Sequence, residues 1–148
     1  MIKRKIQEEQ LTALKSGNRT KLETLRYILA QIKNKEIDKK QELTDEEVVV
    51  LLRKQAKEMR ESIEAFRKGG RQDLVTLTQT QLGLVKSYLP AEISDEELTK
   101  LVKNIIETNA AVFQKNPKAL FAIAVGKLKS QAEPSRITSA LQKLISQA

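Results

Sequence analysis

Seven basic side chains are the residues of this 148-residue chain whose types and spacing suit chemistry, and that chemistry is binding rather than bond making. Arg53, Lys57, Arg60 and Arg67 fall within about 80° of one another at roughly 100° per helical residue. Their centre lies about 120° from the apolar stripe Val48, Leu52, Gln55, Met59, Ile63 and Phe66. Guanidinium forks match phosphate oxygens, so a rigid row of this kind suits a nucleic-acid backbone. Glu64 sits in the same row and Glu61 beside it. Pairs such as Lys57–Glu61 and Arg60–Glu64 therefore give a second reading, a solvated face laced by i,i+4 ion pairs. Lys127, Lys129 and Arg136 flank the last connection between helices. They are candidate phosphate contacts or ordinary helix-end charges.

Bond-making chemistry has little to work with. There is no His and no Cys. This excludes Ser-His-Asp triads, His or thiolate metal sites, disulfides and a Cys nucleophile. With 5 Gly and 3 Pro there is no Gly-rich phosphate loop. Aromatics are 3% with no Trp, which argues against base-stacking platforms. The acidic runs Thr44-Asp45-Glu46-Glu47 and Ser94-Asp95-Glu96-Glu97 are explained as helix caps rather than metal ligands or paired catalytic carboxylates. No catalytic residue, metal or cofactor is assigned.

Charge and compartment follow from the same composition. Lys+Arg is 27 and Asp+Glu 19, a net charge of +8. Residues 1–89 hold 19 basic and 13 acidic residues, +6, and the remainder 8 and 6, +2. The first ten residues hold no apolar signal-type run, and the longest apolar run, at 48–52, is far short of a membrane span. These features give the expectation of a cytoplasmic protein with no membrane partner.

The elements that must position these residues are helical throughout. A first helix carries Ile2, Ile6, Ala13 and Leu14 and ends at Gly17. Thr20-Lys21-Leu22-Glu23 reads as a capping box opening a second, with Leu22, Leu25, Leu29 and Ile32 on one face and a polar loop expected over 33–41. Thr44 to Glu47 caps the third helix, which Gly69-Gly70 stops. A fourth, from about Arg71 to Leu89, carries Leu74, Leu77, Leu82, Val85 and Tyr88. Gly83 within it is expected at a close helix–helix approach. Pro90 marks a domain boundary, so the expected architecture is all-α. Residues 1–90 form an N-terminal domain of about four helices and 91–148 a C-terminal three-helix domain. The first C-terminal helix carries Leu98, Leu101, Val102, Ile105 and Ile106. Asn116-Pro117 is read as N-cap and first residue of the next helix, and Glu133-Pro134 opens the last.

The stretch from Thr24 to Ile37, Thr-Leu-Arg-Tyr-Ile-Leu-Ala-Gln-Ile-Lys-Asn-Lys-Glu-Ile, joins several shorter motifs in a recognisable order. These are Leu43-Thr44-Asp45-Glu46-Glu47-Val48, Arg60-Glu61-Ser62-Ile63-Glu64-Ala65-Phe66, Gly70-Arg71-Gln72-Asp73-Leu74, Ser87-Tyr88-Leu89-Pro90 and Ser94-Asp95-Glu96-Glu97-Leu98. On these residues the chain resembles the GatB/YqeY family, and within it the stand-alone YqeY-like proteins. The resemblance implies a two-part helical fold. It also implies kinship with the tail of the B subunit of glutamine-dependent aminoacyl-tRNA amidotransferase, a carbon–nitrogen ligase with glutamine as amide donor. That tail helps hold tRNA while the catalytic domains lie elsewhere. Where the family carries a Lys-Gly-Arg-Ala-Asp-Gly-like turn, this chain has Lys129-Ser130-Gln131-Ala132-Glu133-Pro134, without either glycine or the arginine. Ala122 stands for a glycine and Gln81 for a glutamate. The expected function is a non-catalytic, tRNA-associated binding module, with tRNA and a translation-related protein complex as partners. The competing expectation is a protein–protein adaptor without RNA contact.

Overall fold

Among residues 1–147, which the computed structural model describes, eight helices and no strand are formed. The chain divides into two compact units, Met1–Leu89 and Pro90–Ala148. The first contains α1 (Ile2–Ser16), α2 (Arg19–Lys39), α3 (Asp45–Lys68) and α4 (Gln72–Ser87). The second contains α5 (Asp95–Thr108), α6 (Ala110–Lys115), α7 (Ala119–Leu128) and α8 (Pro134–Gln147).

In the first unit, Gly17 ends α1 in the left-handed conformation at φ 73°, which glycine adopts without a Cβ penalty. The expected box at Thr20 is replaced by a cap two residues earlier. The Asn18 side chain accepts a hydrogen bond from the Lys21 backbone N–H at 3.2 Å, so Arg19 is already helical. Nor does the polar run 33–41 become a loop, since α2 continues to Lys39. Tertiary contacts hold this last turn despite its composition. The Lys3 ammonium donates to both oxygens of Glu36 at 2.8 and 3.1 Å, and the Leu43 backbone N–H donates to the same carboxylate at 2.9 Å. These donors hold the Glu36 carboxyl below its ordinary pKa, the Lys3 hydrogen bond most strongly.

The cap of α3 is a full capping box. Thr44 Oγ1 accepts from the Glu47 N–H at 3.2 Å, and the Glu47 carboxylate accepts from the Thr44 N–H at 3.3 Å. Val48, Leu52 and Ile63 are buried as the stripe requires, while Met59 and Phe66 are only partly covered. The fourth helix buries Val75, Thr78, Leu82 and Val85, and Leu77 is exposed rather than inward. Gly83 is exposed too, and a Cβ there would meet nothing within 4 Å, so no helix approaches it closely. Ile6, Leu25, Ile28, Ile32, Val48, Leu52, Val75 and Val85 form the fully buried centre of this unit.

The second unit has four helices where three were expected. A short helix, α6, forms after Asn109. Asn116-Pro117 is a turn ahead of α7 rather than its cap and first residue. The Asn116 carbonyl accepts from the Ala119 N–H at 3.0 Å, and α7 begins at Ala119. Ser94 caps α5 by accepting from the Glu97 N–H at 3.2 Å, and Pro134 opens α8. Leu98, Val102, Leu120, Ala124, Ile137 and Leu141 make the core.

Candidate nucleic-acid interface

The α3 row does not reach the surface as one face. Lys57 and Arg67 are exposed and Arg60 is partly covered, but Arg53 is buried at 7% exposure. Arg53 and Arg60 are both engaged in interactions of their own. Arg67 donates to the Glu64 carboxylate at 2.7 Å, an i,i+3 pair. The reason is charge balance. Helix α3 carries six basic and six acidic residues, so its cations have carboxylates close by on the same helix.

In the second unit, Lys127 and Lys129 are exposed at the end of α7. Arg136 is committed elsewhere. Its guanidinium donates to Glu92, to the Ile93 carbonyl at 2.9 Å and to Asp95 at 2.7 Å. The hydrogen bonds it donates to Asp95 and Glu92 raise its pKa above the ordinary arginine value. Arg136 is therefore a clip that ties α8 to the chain entering α5. The turn 129–134 is equally closed. Its Lys129, Gln131 and Ala132 N–H groups donate to the carbonyls of Val125, Leu128 and Leu128, and the Gln131 carbonyl accepts from Ile93. With those amides used internally, the turn has no open backbone cradle for phosphate at these three positions. A hollow of about 360 Å³ beside it is lined by Arg136 and Lys143 but also by Asp95.

A basic row that was missed lies on α2. Arg19, Arg26 and Lys33 are spaced by seven residues and fall within about 40° of one another. All three are exposed, as is Lys40, seven further on at the left-handed cap of the helix, φ 60°. Helix α2 holds six basic residues and three acidic ones, an excess of three. Among those acids, Glu36 is tied to Lys3, and Glu23 sits at 3.7 Å from Arg19 with both side chains mostly exposed. Arg26 and Lys33 form no ion pair with any carboxylate among the described residues. The signal in the sequence was the seven-residue spacing. It was obscured by starting the helix at Thr20 and ending it near Lys33, which left Arg19 and Lys40 outside.

Among the described residues, no group of three or more His, Cys, Asp or Glu is placed to hold a metal, and no helix is long and apolar enough to cross a membrane.

The model of the Yqey-like protein family matches residues 3–145. This chain belongs to the YqeY-like family. It is 35% identical over 106 residues to "Altered inheritance of mitochondria protein 41, mitochondrial" of Pyrenophora tritici-repentis, covering 70% of this chain and 58% of the relative. The proteins of that name from Eremothecium gossypii and Lachancea thermotolerans are 36% and 33% identical, over 58% and 76% of this chain and 48% and 60% of theirs. The chain thus spans about half to three fifths of the length of these relatives. Their names place them in mitochondria. The expectation of a cytoplasmic protein is corrected on that finding, which points to mitochondria instead. Composition could not reveal this, because a lack of Cys and of a signal-type apolar run does not distinguish the two compartments.

Proposed function

We propose that this YqeY-like chain is a tRNA-associated helical binding module, akin to the tail of the amidotransferase B subunit, with no catalysis of its own. The observation that carries the reading is the charge distribution: an excess of +6 within residues 1–89 against +2 in the rest. A surplus of this kind draws polyanions, and phosphate contacts dominate the affinity of most nucleic-acid binders. Scarce aromatic residues favour recognition of folded RNA by shape and backbone over reading of unstacked bases. The test is ultraviolet crosslinking in cells, followed by sequencing of the RNA recovered with the tagged chain. Enrichment of tRNA supports the reading. Recovery of no RNA above an untagged control refutes it.

One observation favours a protein–protein adaptor as a second reading. Leu11 and Leu14 on α1 are 58% and 55% exposed and lie three residues apart, as neighbours on a helix surface. A protein that co-purifies stoichiometrically after nuclease treatment, and is lost in Leu11→Ser/Leu14→Ser, would favour it.

A further inference from the structure

We infer that the outward face of α2, through Arg19, Arg26, Lys33 and Lys40, is the surface that takes the RNA phosphates. This rests on the tRNA-binding reading and specifies its site, which is not the α3 row.

The geometry begins with spacing. Seven residues rise about 10 Å along a helix, so the cations from Arg19 to Lys33 cover about 21 Å in a nearly straight line. A step of about 10 Å matches or exceeds the screening length at physiological salt, roughly 8 Å. Neighbouring cations in the row therefore repel one another little, and the row is tolerated without a ligand. The same step lets each cation meet a different phosphate. Helix packing supplies the rigidity: Leu25, Ile28 and Ile32, on the opposite side of α2, are fully buried.

Availability separates this row from Arg67 and Arg136, and its regular seven-residue spacing separates it from the exposed lysines Lys57, Lys127 and Lys129. Arg26 and Lys33 have no carboxylate partner among the described residues. Arg67 and Arg136 each hold acids of their own. Arg19 must give up Glu23, but that pair is mostly exposed at 3.7 Å and is worth little. Asp38 is the remaining acid of the helix, and it lies about 100–140° around from Arg19, Arg26 and Lys33.

The face suits RNA better than an anionic membrane. An interfacial helix inserts an apolar side, and the apolar stripe of α2, Leu25, Ile28 and Ile32, is spent on the core, leaving Ile37 as the single exposed large aliphatic residue among the cations.

The experiment is a salt titration of the full chain binding fluorescein-labelled unfractionated tRNA, read by anisotropy. Wild type is compared with Arg26→Gln/Lys33→Gln and with Lys57→Gln/Arg67→Gln, and circular dichroism checks that each variant keeps its helicity. Each lost phosphate contact lowers the slope of log affinity against log salt by about 0.7–0.9. The α2 variant is expected to lose about 1.5 units of slope and the α3 variant less than about 0.5. Wild-type binding with an unchanged slope in the α2 variant, or with the larger loss in the α3 variant, overturns the α2 site and leaves tRNA binding standing. No wild-type binding at low salt overturns the tRNA reading itself, and the α2 site with it. Phosphatidylglycerol vesicles serve as the second probe. Tighter binding to them than to tRNA at equal phosphate also overturns the proposal.

Discussion

Helices α2 and α3 lie in the same unit, are of similar length and carry six basic residues each, yet they use them in opposite ways. In α3 six acidic residues offset the six basic ones, and the row becomes structural: Arg53 is buried, and Arg67 is bonded to Glu64. In α2 only three acids are present, and the strongest-held of them, Glu36, faces Lys3 and Leu43 rather than the row. The number of cations on a helix therefore says little about binding. What matters is how many carboxylates share the helix and which of them have partners elsewhere.

Both helices present the same kind of apolar stripe inward, so the largest expected effects are equal on the two. Ile28→Ala in α2 and Leu52→Ala in α3 each remove a fully buried side chain and should cost about 2–5 kcal/mol in urea unfolding. A loss under about 0.5 kcal/mol at either site would mean that the helix is not anchored as described.

A second expectation sharpens the view of α3 as the structural partner. Gln55 is 5% exposed, and neither its Oε1 nor its Nε2 has a hydrogen-bond partner among the described residues. An unpaired buried amide is costly, so Gln55→Met, of similar length and apolar, should raise stability by about 1–2 kcal/mol. A fall of that size instead would show that the amide is satisfied in solution. In the second unit, Arg136→Gln should lower stability by about 1–2 kcal/mol through loss of its bonds to Glu92, Ile93 and Asp95. It should leave the salt slope of tRNA binding unchanged. A slope reduced by one unit would return Arg136 to the binding surface.

The anchor of α2 gives a pH dependence. The folded pKa of Glu36 lies below its ordinary value of 4.5, so the folded chain binds fewer protons there than the unfolded chain. Its contribution is complete above that ordinary value and is lost as pH falls through the folded pKa. Thermal unfolding from pH 6 to pH 3 should show a smaller decline in Glu36→Gln than in wild type. An identical decline would remove the Lys3–Glu36 contact as a determinant of the end of α2.

The smallest effect concerns Tyr88. Burial first, and then the hydrogen bond to Glu9, push its pKa well above the ordinary phenol value. Ultraviolet titration should find a phenol that resists ionisation in the folded chain and is absent from Tyr88→Phe. Ionisation of every tyrosine near pH 10 would contradict the buried contact.

Much of the fold was legible because local signals and packing agree. Gly17, the Thr44 and Ser94 caps, Gly69-Gly70 and Pro134 each mark a helix end by a hydrogen bond or a fixed φ that the residue type itself supplies. The misreadings occur where a tertiary contact decides. Residues 33–39 look like a loop and are helical because Lys3, 33 residues before Glu36, reaches its carboxylate. Leu77 fits the apolar period and is exposed, because no core element covers that side of α4. The candidate site was harder for the same reason. Helical angles group Arg53 with Lys57 and Arg67, but they do not give its burial. Arg136 looks like a surface charge until Glu92 and Asp95 are brought to it by the fold.

The contrast between the two helices is tested most directly by lysine reactivity. The full chain is labelled briefly with an acetylating reagent, with and without saturating tRNA at low salt, and each lysine is quantified by mass spectrometry. Lys33 on α2 should be protected by tRNA several-fold, with Lys40 following it, while Lys57 on α3 and Lys127 and Lys129 at the end of α7 change little. Protection of Lys57, Lys127 or Lys129 with Lys33 left unprotected would contradict the assignment of the RNA-facing surface to α2.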